Sequence, residues 1–226
     1  MTQDMTVLQS EITIPADPEP VSLRLALVGS LLVGGVLGYI LTLVIFQDAV
    51  VCSPLALIVA VFVGAGTMQL AETYLKPRWN SHTYLKLSPQ QLNIIKREKP
   101  VQVIDPTNQP RLHLWRFEVK RAGRVPKGWF MVGLCVEVND VYLPVYALIS
   151  PEQLEALPYG EHFTMLMSRD EVKRAGDDVM RLSGVQRRLL KAETARDVHG
   201  VEIEHDNLVI YLDWIKVHFP EWLPTA

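Results

Sequence analysis

Two runs, Leu25 to Phe46 (LALVGSLLVGGVLGYILTLVIF) and Ala49 to Ala71 (AVVCSPLALIVAVFVGAGTMQLA), decide the architecture. Charged residues make up 21% of the chain, yet none falls inside either run, and only Asp48 stands between them. A charge-free apolar stretch of about 18 residues or more is long enough to cross a bilayer core of about 30 Å as a helix. The turn around Gln47 and Asp48 is too short for a folded domain. The runs therefore predict an antiparallel transmembrane hairpin over 23–75, with both termini on one side. Arg24, Lys76, Arg78 and Lys86 flank the spans and the turn carries no cation, so the positive-inside rule predicts a multi-pass protein of the cell inner (plasma) membrane with both termini cytoplasmic.

Helices in lipid gain little from burying apolar surface on each other, and close approach needs small side chains one turn apart. Ser30, Gly34 and Gly38 in the first run and Ala56, Ala60 and Gly64 in the second meet that need. Their spacing fits packing within the hairpin and also fits pairing between copies. Gln69, Glu72 and Tyr74, then Lys76, Arg78 and Trp79, form an interfacial set, in which aromatic rings settle at headgroup level and long cationic stems snorkel.

Ahead of the hairpin, residues 1–22 carry Asp4, Glu11, Asp17 and Glu19 and the prolines 15, 18 and 20, and read as a disordered acidic tail. This start is the opposite of a cleavable leader, which opens on cations. Cys52 and Cys135 have no neighbour at metal or disulfide spacing and read as small packing residues in a reducing compartment.

Beyond the hairpin, 80–226 has the size of one domain. Tyr84 to Leu87 alternates and then meets Ser88-Pro89-Gln90-Gln91, which reads as a capping box opening a helix; Ser150-Pro151-Glu152-Gln153 repeats the device, suggesting two strand-then-helix units. Leu112 to Lys120 alternates His113, Trp115 and Phe117 against Leu112, Leu114 and Arg116, as a strand does. Trp129 to Val138 and Val141 to Ile149, joined by Asn139-Asp140, predict a tight β-hairpin, with Pro144 marking an edge or bulge. Asp177 can cap a helix through about Arg196, a short strand over 201–204 follows, and a last helix runs from Asp206 or Asn207 to Pro220. The fold class is thus membrane-anchored α+β: an N-terminal two-helix transmembrane hairpin, then a mainly antiparallel β-sheet domain with C-terminal helices.

Charge divides the domain. Lys76 to Lys127 holds twelve basic residues and three acids, whereas Gly128 to Ala226 holds nine and sixteen. A cationic membrane-proximal half fits an anionic leaflet, at about 1 kcal/mol per well-placed cation. Lys76, Arg78, Lys120, Arg121, Arg124 and Lys127 are the candidate contacts to anionic lipid or phosphate. Nucleic acid is not expected as a partner, since no recognition motif accompanies the basic loop. Tyr211, Trp214 and Trp222 are candidates for partner docking because aromatics dominate interface hot spots.

No His pair has zinc spacing, and the nucleophile-elbow, phosphate-loop and dinucleotide fingerprints are missing. The acidic groups at Ser168 to Glu171 and Glu202 to Asp206 read as helix starts and solvated edges. The sequence therefore predicts no cofactor, no metal and no catalytic residue. It points to a membrane anchor or accessory subunit whose cytosolic domain recognises a protein partner and helps assemble a complex. The alternative is an effector that oligomerises through its small-residue helix faces to permeabilise the membrane.

Overall fold

The computed structural model describes residues 11–45, 54–120, 124–167 and 184–223. They form two compact units: 19–81, and a second that joins the stretch up to Pro18 with the chain from His82 onward.

The first unit is a pair of long helices, α1 (Val21–Ile45) and α2 (Pro54–Leu75), each apolar and long enough to cross a membrane. Small residues make their seam. Gly34, Gly38, Ala56 and Gly64 are buried, and a Cβ on Gly34 would lie 1.9 Å from Thr67 Oγ1, one on Gly38 2.8 Å from Val63 Cβ, and one on Gly64 2.8 Å from the Leu31 carbonyl. Thr67 donates to the Ser30 carbonyl across the seam (3.1 Å) and to Gly64 O on its own helix (2.8 Å). Away from the seam the unit is greasy: Leu32, Val33, Leu37, Val61 and Phe62 are all exposed, Phe62 by 74%.

The second unit holds two sheets. The first has order β1-β2-β3-β4 and is antiparallel throughout, from β1 (Ile12–Ala16), β2 (Thr83–Ser88), β3 (Gln91–Lys96) and β4 (Lys99–Ile104). The second has order β8-β5-β6-β7-β9. Its centre is the antiparallel set β5 (Arg111–Glu118), β6 (Phe130–Val138) and β7 (Val141–Ile149), flanked by the two-residue parallel strands β8 (Thr164–Met165) and β9 (Val201–Glu202). The helices are α3 (Pro151–Ala156), α4 (Gly184–His199) and α5 (His205–His218). The main core takes Leu85, Leu87, Leu92 and Ile94 from the first sheet, Val132, Leu134, Leu143 and Val145 from one face of the second, and Leu208, Leu212 and Ile215 from α5. The opposite face of the second sheet meets α4 through Trp115, Met131, Cys135, Leu189 and Ala192. Here Gly133 is required: a Cβ on it would lie 2.4 Å from the Trp115 ring, which crosses β6 at that point.

Three expectations need correction. The acidic tail is not disordered over its described part: Ile12 to Ala16 is the edge strand β1, paired from Ile12 opposite Leu87 to Ala16 opposite Thr83. Ile14 and Ala16 alternate into the core, each 2% exposed, and an edge position tolerates Pro15. Residues 1–10 lie outside the described residues. Ser88 does not open a helix either. Its hydroxyl does accept the Gln91 N–H (3.0 Å), but the chain turns back as the β2–β3 hairpin, which removes the repeat of strand-then-helix units. Finally, Tyr211 and Trp214 are fully buried core residues rather than a docking surface. The apolar arc of α5 spans Leu208, Tyr211, Leu212, Trp214 and Ile215, wider than a single stripe, and all five enter the main core.

Elsewhere the pattern holds but for one proline. Asn139 and Asp140 adopt φ of 51° and 62°, the left-handed pair that a two-residue hairpin requires. Ser150 caps α3 with the full reciprocal box to Gln153. Pro144 departs from the expected edge or bulge: it sits inside β7, which pairs with β6 in unbroken register on one side and with β9 on the other, though β9 pairs only Val145 and Tyr146. The helix start at Asp177, the acids at 168–171, Cys52 and the Gln47-Asp48 turn lie outside the described residues.

Candidate functional site

The end of the second unit's first strand lies beside β9. Asp17, just past β1, donates its backbone N–H to Glu202 O (2.6 Å), and its carboxylate accepts the Glu202 N–H (3.2 Å). Asp17 takes a left-handed φ of 53° to do so. The Glu202 side chain is buried, and Arg124 from the β5–β6 loop forms an ion pair with it. The basic loop is thus pinned to the end of β1. The loop itself is built as a β-hairpin extension, with Val119 N–H donating to Trp129 O (2.7 Å) and Gly128 N–H to Val119 O (3.1 Å). Lys120 and Lys127 are exposed on it, and Arg121 lies outside the described residues.

The network continues under α4. Arg196 lies over the Tyr146 ring (5.0 Å) and binds Glu193 through two nitrogens (2.8 and 2.9 Å), while the Trp115 indole N–H donates to the same carboxylate (2.9 Å). Burial opposes the Arg196 charge, but the Glu193 hydrogen bonds and charge hold its pKa above the ordinary value. Tyr146 is pushed up to about 12, first by burial and then by the Glu202 charge, so it is a neutral ring beneath Arg196 at physiological pH. At the far end of the same face, His113 Nε2 and Glu137 Oε2 are 2.5 Å apart, and Tyr142 donates to the other Glu137 oxygen (3.2 Å). Burial would raise the Glu137 pKa, but the His113 and Tyr142 hydrogen bonds and the His113 charge lower it below the ordinary carboxylate range. The sequence does show His113 and Trp115 on one face of β5. It does not reveal Glu137, Glu193 or Arg196 as their partners, because α4 returns to that face from far along the chain.

The remaining candidates scatter. In the helical unit Lys76 pairs with Glu19 (2.7 Å), the Trp79 indole donates to Ser22 (3.1 Å), and Arg78 stacks over Tyr74 (4.1 Å). Ser30 turns its hydroxyl to its own helix, donating to Leu27 O (2.7 Å), and Ala60 lies at the seam with its carbonyl 3.5 Å from where a Gly35 Cβ would stand. Trp222 is half-buried, stacked on Phe219 at 4.1 Å. Thr42 and Thr67, which the small-residue spacing passes over, supply the seam's hydroxyls; their β-hydroxyls were the available signal. Among the described residues no group of three or more His, Cys, Asp and Glu could hold a metal ion. Burial pushes the Cys135 thiol well above its usual range, which removes it as a nucleophile.

No family model, curated protein or solved structure matches this chain.

Proposed function

We propose that this chain is an integral inner-membrane anchor or accessory subunit, its helices spanning the bilayer with both termini cytoplasmic and its α+β domain recognising a protein partner in the cytosol. One observation carries the reading: α1 and α2 bury small residues against each other and turn bulky aliphatic side chains outward along both helices. In water that surface is an aggregation hazard, and a lipid bilayer removes the cost. The basic loop supports the orientation. Its Lys120 and Lys127 are exposed, within a stretch from Lys76 to Lys127 that holds twelve basic residues against three acids. Cations there suit an anionic cytoplasmic leaflet. The pore-forming alternative draws less support, because Gly34, Gly38 and Gly64 already serve the seam inside one hairpin.

The test is fractionation and topology of the full chain. Retention in membranes after alkaline carbonate, with the C-terminal domain protected from protease outside intact cells and cleaved in inverted vesicles, is the expected result. Release by carbonate, or cleavage from outside, overturns it. Copurification from native membranes then tests partner recognition: the partner should persist with Gly64→Leu in the hairpin and be lost when the soluble domain is unfolded.

A further inference from the structure

Among the described arginines of the domain, Arg116, Arg124 and Arg196 differ in their counter-charges, and the last two have carboxylates. Arg124 has Glu202 and Arg196 has Glu193 and Asp197. Arg116 has none among the described residues. It stands on the core-facing side of β5, opposite Val132 on one flank and Met165 on the other. One guanidinium nitrogen donates to Gly160 O over a long 3.4 Å, and Nε is buried with no acceptor. The half-buried guanidinium thus keeps a donor that no protein acceptor uses. The side chain borders a cleft of about 680 Å³ walled by Phe130, Leu154, Leu157 and Met165. The rim carries Glu155 and Glu161, both exposed.

We propose that this cleft is a binding site for a monoanionic carboxylate bearing an apolar group, with Arg116 as the anion receptor. The planar guanidinium fork matches a carboxylate in a two-bond geometry. The walls accept an aliphatic body, as pockets with a few placed polar groups do. The two rim acids set a field that a single negative charge beside Arg116 tolerates and that a phosphate dianion does not. The carboxylate has two sources, the C-terminus of a peptide ending in an apolar residue or a small free acid, and both present the same chemistry. The site is independent of the membrane reading, since every residue in it belongs to the domain.

The experiment uses the full chain in lipid nanodiscs, following the Arg side-chain Nε–H signals by NMR while titrating N-acetyl-leucine, its amide N-acetyl-leucinamide, hexanoate and inorganic phosphate. The expected result is that the Arg116 Nε–H signal moves with an acid and that the acids bind roughly tenfold or more tightly than the amide. Preference for N-acetyl-leucine over hexanoate assigns the chain-terminus source, and the reverse assigns the free acid. Arg116→Gln should abolish binding and Arg116→Lys, which keeps the charge and loses the fork, should weaken it severalfold. Glu155→Gln, at an exposed position, should tighten it. Equal binding of acid and amide, phosphate outcompeting both acids, or an Arg116→Lys variant that folds and binds as the parent does would overturn the proposal.

Discussion

The helical hairpin and the α+β domain use the same side chains in opposite senses. In the domain Leu85, Leu87 and Leu92 are fully buried, while in the hairpin Leu32, Leu37 and Leu41 are more than half exposed and the buried positions go mostly to small residues, Gly34, Gly38, Thr42, Ala56 and Gly64, with Leu23 near the start of α1 the buried exception. In the domain, stability comes from volume that fills a core; in the hairpin, from volume that is missing at a seam. This inversion is what the proposed change of solvent from water to lipid would demand, since lipid gives leucine no reason to leave it. The contrast makes a direct prediction of which substitutions each unit tolerates.

The largest effect belongs to the domain core. Trp214→Ala removes a fully buried indole that stacks on His218 at 4.4 Å, and should cost about 3–5 kcal/mol. Leu32→Ala, at a position 62% exposed in α1, should change hairpin stability by less than about 0.5 kcal/mol. Denaturant unfolding followed by tryptophan fluorescence, on the full chain in mild detergent, separates the two. Comparable losses at both positions would break the contrast.

Next comes β1, where the two regimes meet in the chain. Ile14→Ala should destabilise the domain by about 2–4 kcal/mol, as for any core isoleucine, although its neighbours are prolines and acids. A domain truncated at residue 80 should unfold at lower denaturant than one that keeps the strand. If the two unfold together, β1 contributes nothing and the acidic segment is an appendage. At the seam the sign reverses and size becomes the fault. Gly64→Leu, forced against the Leu31 carbonyl and the Gly35 backbone, should cost the hairpin about 1–3 kcal/mol, whereas Gly66→Leu, with open space around it, should cost almost nothing. Disulfide trapping between cysteines placed across α1 and α2 reads the difference.

Legibility in the sequence depends on the range over which each signal acts. The apolar runs are read from composition alone, and the Asn139-Asp140 turn from two residues that tolerate left-handed backbone. The Ser-Pro-x-Gln segments show where reading fails. At Ser88 and at Ser150 the serine oxygen accepts the N–H three residues on, at 3.0 and 3.2 Å, so the local device forms in both places. The residues after it decide the outcome. Leu92-Asn93-Ile94 alternates inward and outward and finds β2 and β4 on either side, whereas Leu154 in the short helix α3 and Leu157, its extended C-cap, both enter the core. A capping tetrapeptide thus sets a turn and leaves its continuation to tertiary pairing. Strand β1 escapes the sequence for a related reason. Ile12, Ile14 and Ala16 alternate over only five residues, and the edge they complete is provided by β2, far along the chain. The Glu193 and Arg196 partners of Trp115 and Tyr146 are likewise contacts between distant segments, invisible to spacing.

The smallest effect sharpens the comparison from the side of charge, which the domain carries in partly buried pairs and the two helices hold only near their ends, at Arg24 and Glu72. Glu137 is lowered in the folded state by His113 and Tyr142 in spite of its burial. A carboxylate whose folded pKa is depressed adds stability that is complete above its unfolded pKa and drains away as pH falls through the folded value. The domain should therefore lose stability below about pH 4, the range of an ordinary glutamate, and continue to lose it toward lower pH. Glu137→Gln keeps the shape and can still accept from Tyr142, so it should cost about 1 kcal/mol near neutrality and leave a shallower acid limb. The same substitution should lower the Tyr142 pKa from about 12, because part of that elevation comes from the Glu137 charge next to burial. Ultraviolet titration of the phenol and denaturant midpoints against pH give two independent readings of one carboxylate. An acid limb unchanged in Glu137→Gln would place the proton uptake elsewhere in the domain and leave His113–Glu137 as a contact of shape alone.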